Sequence, residues 1–273
     1  GDYTSEGGTS SHIRINSDSS QTDGLLTLES TLSLKSTNVP EGATISGGTL
    51  ALGGERVFDI DRTDYAWPAD LVITSIITGS DSLTKSGQGS LLLTGANTFD
   101  GGLTVTDGAL LLGNDSAAGT GLLALLPGAE SNVTLRAGPS NFSLPGSPGL
   151  PGGTGFGYSS MGDRDEPLVI ENDILAGQYV SFGHADDSRP ITVLGKFSTA
   201  DSSAILNVAG KLELFGGLDS VDADASVEFM GGGTLLLGGA TGGDLLDLTA
   251  LGTHIIFLSA AAVPGSLTLH AEG

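Results

Sequence analysis

The chain contains no cysteine among its 273 residues. Disulfide frameworks, thiolate metal sites and cysteine nucleophiles are therefore excluded. Cations are also scarce, since ten Lys and Arg stand against 32 Asp and Glu and give a net charge of −22. A charge of that size repels nucleic acid and anionic lipid over a long range, so neither is an expected partner.

Long apolar runs and nucleotide motifs are missing too. No apolar stretch approaches the ~18–20 residues of a membrane span, so no membrane insertion is expected. The chain opens Gly-Asp-Tyr-Thr instead of with a basic and then apolar signal region, which predicts a mature or excised piece. There is no phosphate-binding Gly-x-x-x-x-Gly-Lys-Ser/Thr and no Gly-x-Ser-x-Gly elbow for a serine hydrolase. The four histidines, His12, His184, His254 and His270, are scattered along the chain and predict isolated surface positions.

What the chain does contain is glycine, with 44 residues, and very short apolar segments. Pairs of apolar residues two positions apart recur from end to end and are bounded by turn-forming residues. These doublets are Leu26/Leu28, Leu32/Leu34, Leu50/Leu52, Leu91/Leu93, Leu103/Val105, Leu110/Leu112, Val133/Leu135, Ile191/Val193, Leu206/Val208, Leu212/Leu214, Val227/Phe229, Leu235/Leu237 and Leu267/Leu269.

A doublet puts two side chains on one face of a three- to five-residue strand, which is too little to stabilise a hairpin. If three such strands make one coil of roughly 20–25 residues, stacked coils bury the doublets as a continuous ladder. Glycine pairs such as Gly47-Gly48 and Gly216-Gly217 suit the sharp corners between strands. The sequence therefore predicts an all-β, right-handed parallel β-helix, or β-solenoid.

Composition divides the chain into four segments. Residues 1–23 are predicted to be a polar N-terminal cap or assembly segment, and residues 24–137 a first solenoid segment. Residues 138–164 are rich in Gly, Pro and Ser, and because proline removes ladder donors they are predicted to form a loop ejected from the solenoid. Residues 165–273 are predicted to continue the solenoid and to form its C-terminal cap.

One stretch resembles a known repeat. It runs from Leu83-Thr-Lys-Ser-Gly-Gln-Gly through Gly-Ala-Asn-Thr-Phe-Asp-Gly-Gly to Ala-Leu-Leu-Leu-Gly113, in the order strand, turn, aromatic, Gly-Gly corner, strand. This order is similar to the autotransporter-associated β-strand repeat. The segments Gly47 to Asp61 and Leu71 to Gly79 are similar to those that commonly precede it, so the resemblance covers roughly residues 42–120.

The resemblance implies an architecture and an export context. The repeat occurs in passenger regions of large surface proteins of Gram-negative-type bacteria, so an extracellular or cell-surface location is expected. The repeat identifies no ligand. We expect a structural or adhesive surface protein that is not an enzyme, and surface glycans or other cells are its expected ligands. Self-association head to tail into fibres is the expected partner interaction, because the two ends of a solenoid carry open strand edges. A passenger fragment and a complete fibre subunit remain alternatives.

A polysaccharide lyase or hydrolase is the enzymatic alternative, since many parallel β-helices carry Asp, Arg or Lys on one outward sheet. The candidate groups are Asp59, Asp61, Arg62 and Asp64, and Asp163, Arg164, Asp165 and Glu166. A solvated polar turn explains each group equally well, so no catalytic residue is assigned. Tyr65, Trp67 and Tyr158 are candidates for stacking on sugars, although Trp67 before Pro68 also suits packing at the end of a coil.

Calcium is the metal that an acidic, cysteine-free extracellular chain favours, because it binds hard oxygen ligands. Asp219, Asp222 and Asp224 have the densest carboxylate spacing and are the predicted ligands of a structural calcium ion. Gly238 to Asp244 departs from the calcium-binding Gly-Gly-x-Gly-x-Asp pattern, and no EF-hand loop is present. No other cofactor is expected.

Overall fold

The computed structural model describes residues 11–15, 24–35, 42–63, 69–139, 166–184, 189–222, 225–242, 247–259 and 267–270. Within these ranges the chain forms strands and turns and no helix. Every strand pair is parallel. Strands that lie next to each other in a sheet are separated in the sequence by other strands, as in a chain that coils around an axis.

The strands form four sheets. In chain order they are β1 Ser11–Arg14, β2 Leu25–Leu28, β3 Leu32–Leu34, β4 Ala43–Ser46, β5 Thr49–Leu52, β6 Arg56–Ile60, β7 Leu71–Ile73, β8 Ile76–Thr78, β9 Leu83–Ser86, β10 Ser90–Leu93, β11 Leu103–Val105, β12 Gly108–Leu112, β13 Leu123–Leu125, β14 Val133–Ala137, β15 Leu168–Ile170, β16 Ile174–Ala176, β17 Val180–Phe182, β18 Ile191–Val193, β19 Phe197–Thr199, β20 Ser203–Val208, β21 Lys211–Leu214, β22 Leu218–Ser220, β23 Ser226–Met230, β24 Thr234–Leu237, β25 Asp247–Leu251, β26 His254–Phe257 and β27 Leu267–His270.

Three faces run along the solenoid. The first is an eleven-stranded sheet of β1, β4, β7, β10, β12, β14, β17, β20, β23, β25 and β27. The third is an eight-stranded sheet of β3, β6, β9, β11, β13, β16, β19 and β22. The second face lies between them in the chain order and consists of two sheets, β2-β5-β8 and β15-β18-β21-β24-β26. Each full coil therefore visits the first, second and third face in turn, and the predicted parallel β-helix is confirmed.

The core is the inside of this coil. Leu91 stacks in register between Leu71 and Leu110, and the residue two positions on, Leu93, stacks on Ile73 and Leu112. All six side chains are buried. Burial of a Leu or Ile side chain contributes roughly 1.5–3 kcal/mol, so the repeated doublets are the main source of stability. The predicted doublets from Leu50 to Leu237 are all buried.

The second face is interrupted in two successive coils. In the continuously described range 69–139, residues 94–102 and 113–122 contain no strand. Asn97 replaces the missing ladder in the first of them: its Oδ1 accepts the Ile77 backbone N–H at 2.7 Å, and its Nδ2 donates to the Ala117 carbonyl at 2.6 Å. The side-chain amide thus satisfies buried backbone groups of the coils on both sides, which explains the Gly-Ala-Asn-Thr turn of the repeat.

Corners between faces require glycine where coils approach closely. Gly108 has φ +73°, and a Cβ built on it would lie 2.3 Å from the Gly89 carbonyl oxygen of the preceding coil. Only a residue without a side chain fits this left-handed, crowded position. The turn from the third face to the first face at Gly108 is therefore fixed by the sequence, and it forms part of the concave surface described next.

The first face keeps its register on both sides of the segment that the sequence predicts to be a loop. Val133 of β14 pairs directly with Val180 of β17, 47 positions later, and Leu135 pairs with Phe182. Residues 140–165, which contain most of the predicted loop 138–164, lie outside the described residues. Arg189 connects the flanks of this insertion, since its Nε donates to the Glu166 carbonyl at 3.0 Å and its Nη1 to the Gly138 carbonyl at 2.7 Å.

Candidate functional site

A polar groove with a volume of about 890 Å³ lies on the first face. It is next to the turns that lead into β7, β10, β12 and β14. We call it the first-face groove. Its lining is Arg62, Thr63, Asp70, Gln88, Ser90, Asp107, Gly108, Ala109, Leu111, Glu130, Asn132, Thr134 and Arg136. Because the four strands are adjacent in the sheet, side chains from residues 62–136 converge on one patch.

Register determines how the groove is ordered. Gly108 pairs with Val133, so the residues before them, Asp107 and Asn132, are neighbours across the strands. Ser90 pairs with Ala109, which in turn pairs with Thr134. Neighbouring strands are about 4.8 Å apart, so Asp107 and Asn132 are separated by about one such spacing. Ser90 and Thr134 are two strands apart, with Ala109 between them.

Asp70 holds one wall of the groove in place. Its Oδ1 accepts the backbone N–H and the hydroxyl of Thr63 at 2.6 and 2.7 Å. Its Oδ2 accepts the backbone N–H and the hydroxyl of Ser90 at 2.7 and 2.6 Å. The carboxylate is buried and has four donors, so it connects two coils and has a structural role.

Lys85 lies inside the solenoid, next to the turns that contain Gly87 and Asp107. Its side chain is fully buried, and its ammonium donates to the carbonyls of Gly87 at 2.5 Å, Asp107 at 2.7 Å and Ser86 at 3.3 Å. The Gly87 and Asp107 carbonyls belong to the turns that enter β10 and β12, which carry the floor of the groove, and the Ser86 carbonyl is at the end of β9. Burial lowers the pKa of Lys85 to about 8, against the raising effect of the Asp107 charge.

The groove contains charges of both signs. Arg62 and Arg136 supply guanidinium groups, and Asp107 and Glu130 supply carboxylates. Asp107 Oδ1 also accepts the Gly108 backbone N–H at 2.8 Å, which fixes that carboxylate against the turn. Carboxylate, amide and guanidinium groups together suit a ligand that is rich in hydroxyl groups or has scattered anionic groups.

Sequence comparison finds a known repeat in the part of the chain that forms the floor of the groove. The model of the passenger-associated-transport-repeat family matches residues 83–112, which include Lys85, Asn97, Asp107 and the floor strands β10 and β12. The chain therefore contains a stretch similar to the repeats of autotransporter passengers. The resemblance predicted from the Gly-Ala-Asn-Thr turn and the Gly-Gly corner is thereby confirmed.

One relative extends the similarity of this passenger-like chain beyond the repeat. The adhesin BmaC autotransporter of Brucella suis biovar 1 is 33% identical over 153 residues, which is 55% of this chain and 4% of that protein. The chain thus spans a small part of the relative's length. No solved structure matches the chain significantly.

The predicted acidic groups of the passenger-like chain divide between two places. Asp59 and Asp61 lie on the third face and bind Lys35, whose Nζ is 2.5 Å from Asp59 Oδ2 and 3.4 Å from Asp61 Oδ1. The hydrogen bond from Lys35 lowers the pKa of Asp59. Arg62, the next residue in the chain, lines the first-face groove instead. The sequence grouping of Asp59, Asp61 and Arg62 therefore does not form one site, and Asp64 lies outside the described residues.

Other sequence candidates lie apart from the groove or outside the described residues. Glu166 is exposed, and its backbone carbonyl accepts the Arg189 hydrogen bond described above. His12 contacts Ser46 Oγ at 2.7 Å on the N-terminal coils, and His254 is on β26. The candidates outside the described residues are Tyr65, Trp67, Tyr158, Asp163, Arg164 and Asp165.

Two of the three predicted calcium ligands, Asp219 and Asp222, lie within the described residues. Asp219 Oδ2 lies 2.5 Å from Lys196 Nζ, and this hydrogen bond lowers the pKa of Asp219. Asp222 is exposed, and Asp224 lies outside the described residues. In the part of the chain that the structure describes, no three His, Cys, Asp or Glu residues are grouped to hold a metal. Also within that part, no helix is long and apolar enough to cross a membrane.

Sequence reasoning missed Asp70, Lys85 and Asn97. All three are polar residues buried by the coil, and each bonds to groups about 20 positions away. That spacing equals one coil. Aligning the doublets Leu91/Leu93 and Leu110/Leu112 would have given the register of neighbouring coils, and with it the partners of these three residues.

Proposed function

We propose that this chain is a segment of an extracellular or cell-surface adhesive protein, that it is not an enzyme, and that it binds surface glycans through the first-face groove. The observation that carries the proposal is the groove itself, in which Gln88, Asp107 and Asn132 lie in the turns that enter adjacent strands and Thr134 lies on β14. The similarity to an adhesin autotransporter supports the surface location and the adhesive role.

Rigidity favours such a role. The groove lies on four hydrogen-bonded strands, and Asp70 and Lys85 hold the turns beside it. A preorganised polar surface loses little conformational entropy when it binds a ligand, so modest individual contacts suffice. Sugar hydroxyls both donate and accept hydrogen bonds, which matches a lining that mixes amide, hydroxyl and carboxylate groups.

Asn132 and Thr134 provide the direct test, because Asn132 is exposed and Thr134 is half-buried in the groove. We expect the double variant Asn132→Ala/Thr134→Ala to bind its glycan roughly 10- to 100-fold more weakly, since two hydrogen-bonding side chains are lost. A glycan array identifies the ligand with the wild-type chain, and calorimetry then compares the variants.

The matched control removes two hydroxyls elsewhere. Thr84 and Thr104 are paired neighbours on the third face and half-buried like Thr134. Thr84→Ala/Thr104→Ala should leave glycan affinity unchanged. Equal losses in both double variants, or a wild-type chain that binds no glycan on the array, would contradict the proposal.

A polysaccharide lyase or hydrolase is the second candidate function. The observation that favours it is that Asp107 and Glu130 share the groove with Arg62 and Arg136, as acid, base and cation must in such enzymes. Prolonged incubation with acidic and neutral polysaccharides distinguishes the two functions. New reducing ends or unsaturated products that disappear in Glu130→Gln would establish an enzyme; bound but intact polysaccharide supports the adhesive function.

A structural calcium ion at Asp219, Asp222 and Asp224 remains a proposal. Lys196 competes with any cation at Asp219, because its ammonium is already bonded to that carboxylate. We therefore expect Lys196→Ala to bind calcium more tightly than the wild-type chain in calorimetric titration. Asp222→Asn in the Lys196→Ala background should reverse the gain. No measurable calcium binding in the Lys196→Ala variant would remove this site.

A further inference from the structure

Tyr179 has a backbone conformation that otherwise belongs to glycine among the described residues. Its φ is +63°, and every other described residue with a positive φ is glycine. In this left-handed region the Cβ of a side chain crowds the following carbonyl oxygen, so glycine is the favoured residue. Tyr179 is also 49% exposed. An aromatic ring is therefore held at the surface at a backbone position that disfavours it.

The turn that contains Tyr179 is fixed on both sides. The Gly177 backbone N–H donates to the Leu125 carbonyl of the preceding coil at 2.8 Å. The Gln178 backbone N–H donates to Asp201 Oδ2 of the following coil, also at 2.8 Å. A strained backbone persists only where the surrounding structure determines it, and such positions are frequent in ligand sites. These two hydrogen bonds therefore hold Tyr179 in its left-handed conformation.

Register places Tyr179 next to the first-face groove. Val133 pairs with Val180, so the residues before them, Asn132 and Tyr179, are neighbours across the strands. Asn132 lines the groove beside Asp107, and adjacent strands are about 4.8 Å apart. Tyr179 thus lies one strand beyond the groove, in the row that Asp107 and Asn132 begin.

Polar groups continue along the same side of the first face. Thr134 of the groove pairs with Ser181, and Ser181 pairs with Asn207. Ser181 lies between the buried residues Val180 and Phe182, so its side chain points outward. Asn207 Nδ2 donates to Ser181 Oγ at 3.3 Å. A hydroxyl and a carboxamide each have several donor and acceptor positions, so both groups can also bond to ligand hydroxyls.

The neighbour of Tyr179 on the following strand is apolar. Val180 pairs with Leu206, so Tyr179 lies across from Ile205, which is half-buried. The two side chains give an apolar patch beside the row of hydroxyl and amide groups. A pyranose ring has an apolar face of C–H groups and a rim of hydroxyls, and tyrosine presents an apolar body with a polar tip. The patch and the polar row therefore match a pyranose ring.

We propose that Tyr179 forms an additional sugar subsite, in which its ring stacks on one pyranose residue of a glycan whose other residues occupy the first-face groove. This inference rests on the proposed glycan binding. It names the ligand class more closely, as an oligosaccharide long enough to leave the groove and cross one further strand. Tyr179 then determines specificity, because a glycan too short to reach the ring gains nothing from it.

Tyr179→Gly tests the subsite, because glycine removes the ring and adopts the same φ without steric cost. The probes are neutral and uronic-acid oligosaccharides on an array, each as a disaccharide and as a hexasaccharide, followed by calorimetry with the hexasaccharide that binds best. We expect Tyr179→Gly to bind this hexasaccharide roughly tenfold more weakly than the wild-type chain and the corresponding disaccharide equally. Its thermal unfolding midpoint should equal or exceed that of the wild-type chain, since backbone strain is relieved.

Two further variants are controls for the ring. Tyr179→Phe keeps the stacking surface and should retain most of the affinity for the hexasaccharide. Phe215→Ala removes an aromatic ring of similar exposure, 41%, which follows β21 on the second face. Because Phe215 lies on a different face, its removal should leave the affinity for the hexasaccharide unchanged.

The outcomes separate this subsite from the proposed function. A wild-type chain that binds no oligosaccharide of either length would overturn both. Hexasaccharide binding that is weakened by Asn132→Ala/Thr134→Ala but not by Tyr179→Gly would overturn the subsite alone. A lower unfolding midpoint for Tyr179→Gly would assign the ring to packing, and the subsite would again be overturned.

Discussion

Lys85→Met should lower the free energy of unfolding by about 2–3 kcal/mol at neutral pH, because three backbone carbonyls lose the donor that the buried ammonium supplies. Methionine has nearly the same length and fills the same space. The carbonyls of Ser86, Gly87 and Asp107 would then face an apolar side chain inside the coil. Relief of the buried charge offsets part of this loss, which is why the expected cost is below the sum of three lost hydrogen bonds.

The pH dependence of stability gives an independent readout for Lys85. Burial holds its pKa at about 8 in the folded chain, against 10.5 for a solvated lysine in the unfolded chain. Between these values the unfolded chain binds more protons, so stability rises with pH, by at most about 3 kcal/mol. Below pH 8 both states are protonated and this gain is absent.

Denaturant unfolding of the wild-type chain and Lys85→Met across this window isolates the effect. The difference in stability between wild type and variant should widen as pH rises from 8 to 10.5. Lys35→Met is the control, since Lys35 is an exposed lysine and its pKa is raised by the hydrogen bond to Asp59. Curves for wild type and Lys85→Met that stay parallel over the window would show that the buried amine does not titrate as expected.

Phe99→Ala should destabilise the chain by about 3–5 kcal/mol, the usual cost of deleting a fully buried phenylalanine ring. Phe99 lies in the first interrupted stretch, residues 94–102, within the matched repeat, and is fully buried. A Cβ built on Gly119 of the next coil would lie 2.9 Å from the ring atoms Cε2 and Cζ. The ring therefore packs directly against backbone, and backbone held in a ladder cannot collapse into the cavity.

Phe215→Ala is the matched control because the same atoms are removed from a side chain that is 41% exposed. Its expected cost is below about 1.5 kcal/mol, since less apolar surface is lost from the interior. Chemical denaturation followed by circular dichroism compares the two. Similar losses in both variants would mean that Phe99 does not fill the interrupted face as described.

The part of the fold that follows from periodicity could be predicted. The doublets Leu91/Leu93 and Leu110/Leu112 determine which side chains point inward, and stacking them requires parallel strands. Leu92 does not follow the alternation, because it is buried on the outward side of the first face together with Val72 and Leu111. A period of two cannot reveal a second layer outside the sheet.

Lys85 illustrates why polar residues inside the coil were not predicted. It occupies the inward position of β9 two residues after Leu83, where the pattern requires an apolar side chain. Lysine is almost never fully buried unless it is paired, so propensity places it outside. Its partners are carbonyls in turns, one of them in the following coil, and sequence patterns contain no information on carbonyl direction.

The site was harder to predict than the fold, because neighbours in the sequence separate in space. Asp61 and Arg62 are adjacent in the chain, yet the corner between them sends one to Lys35 and the other to the groove. Conversely, Asp70, Asp107 and Asn132 come together only through stacking. In a solenoid, charged residues that form one site are separated in the sequence by about one coil. Charged residues that are adjacent in the sequence mainly mark the corners between faces.

The direct pairing of Val133 with Val180 has a consequence for how such proteins change over generations. Segments of very different length close one turn here, since Leu91 and Leu110 are 19 positions apart and Val133 and Val180 are 47 positions apart. Insertions at a corner leave the ladders on both sides intact. Selection can therefore exchange, lengthen or delete residues between two ladders while the rod that carries them is inherited unchanged.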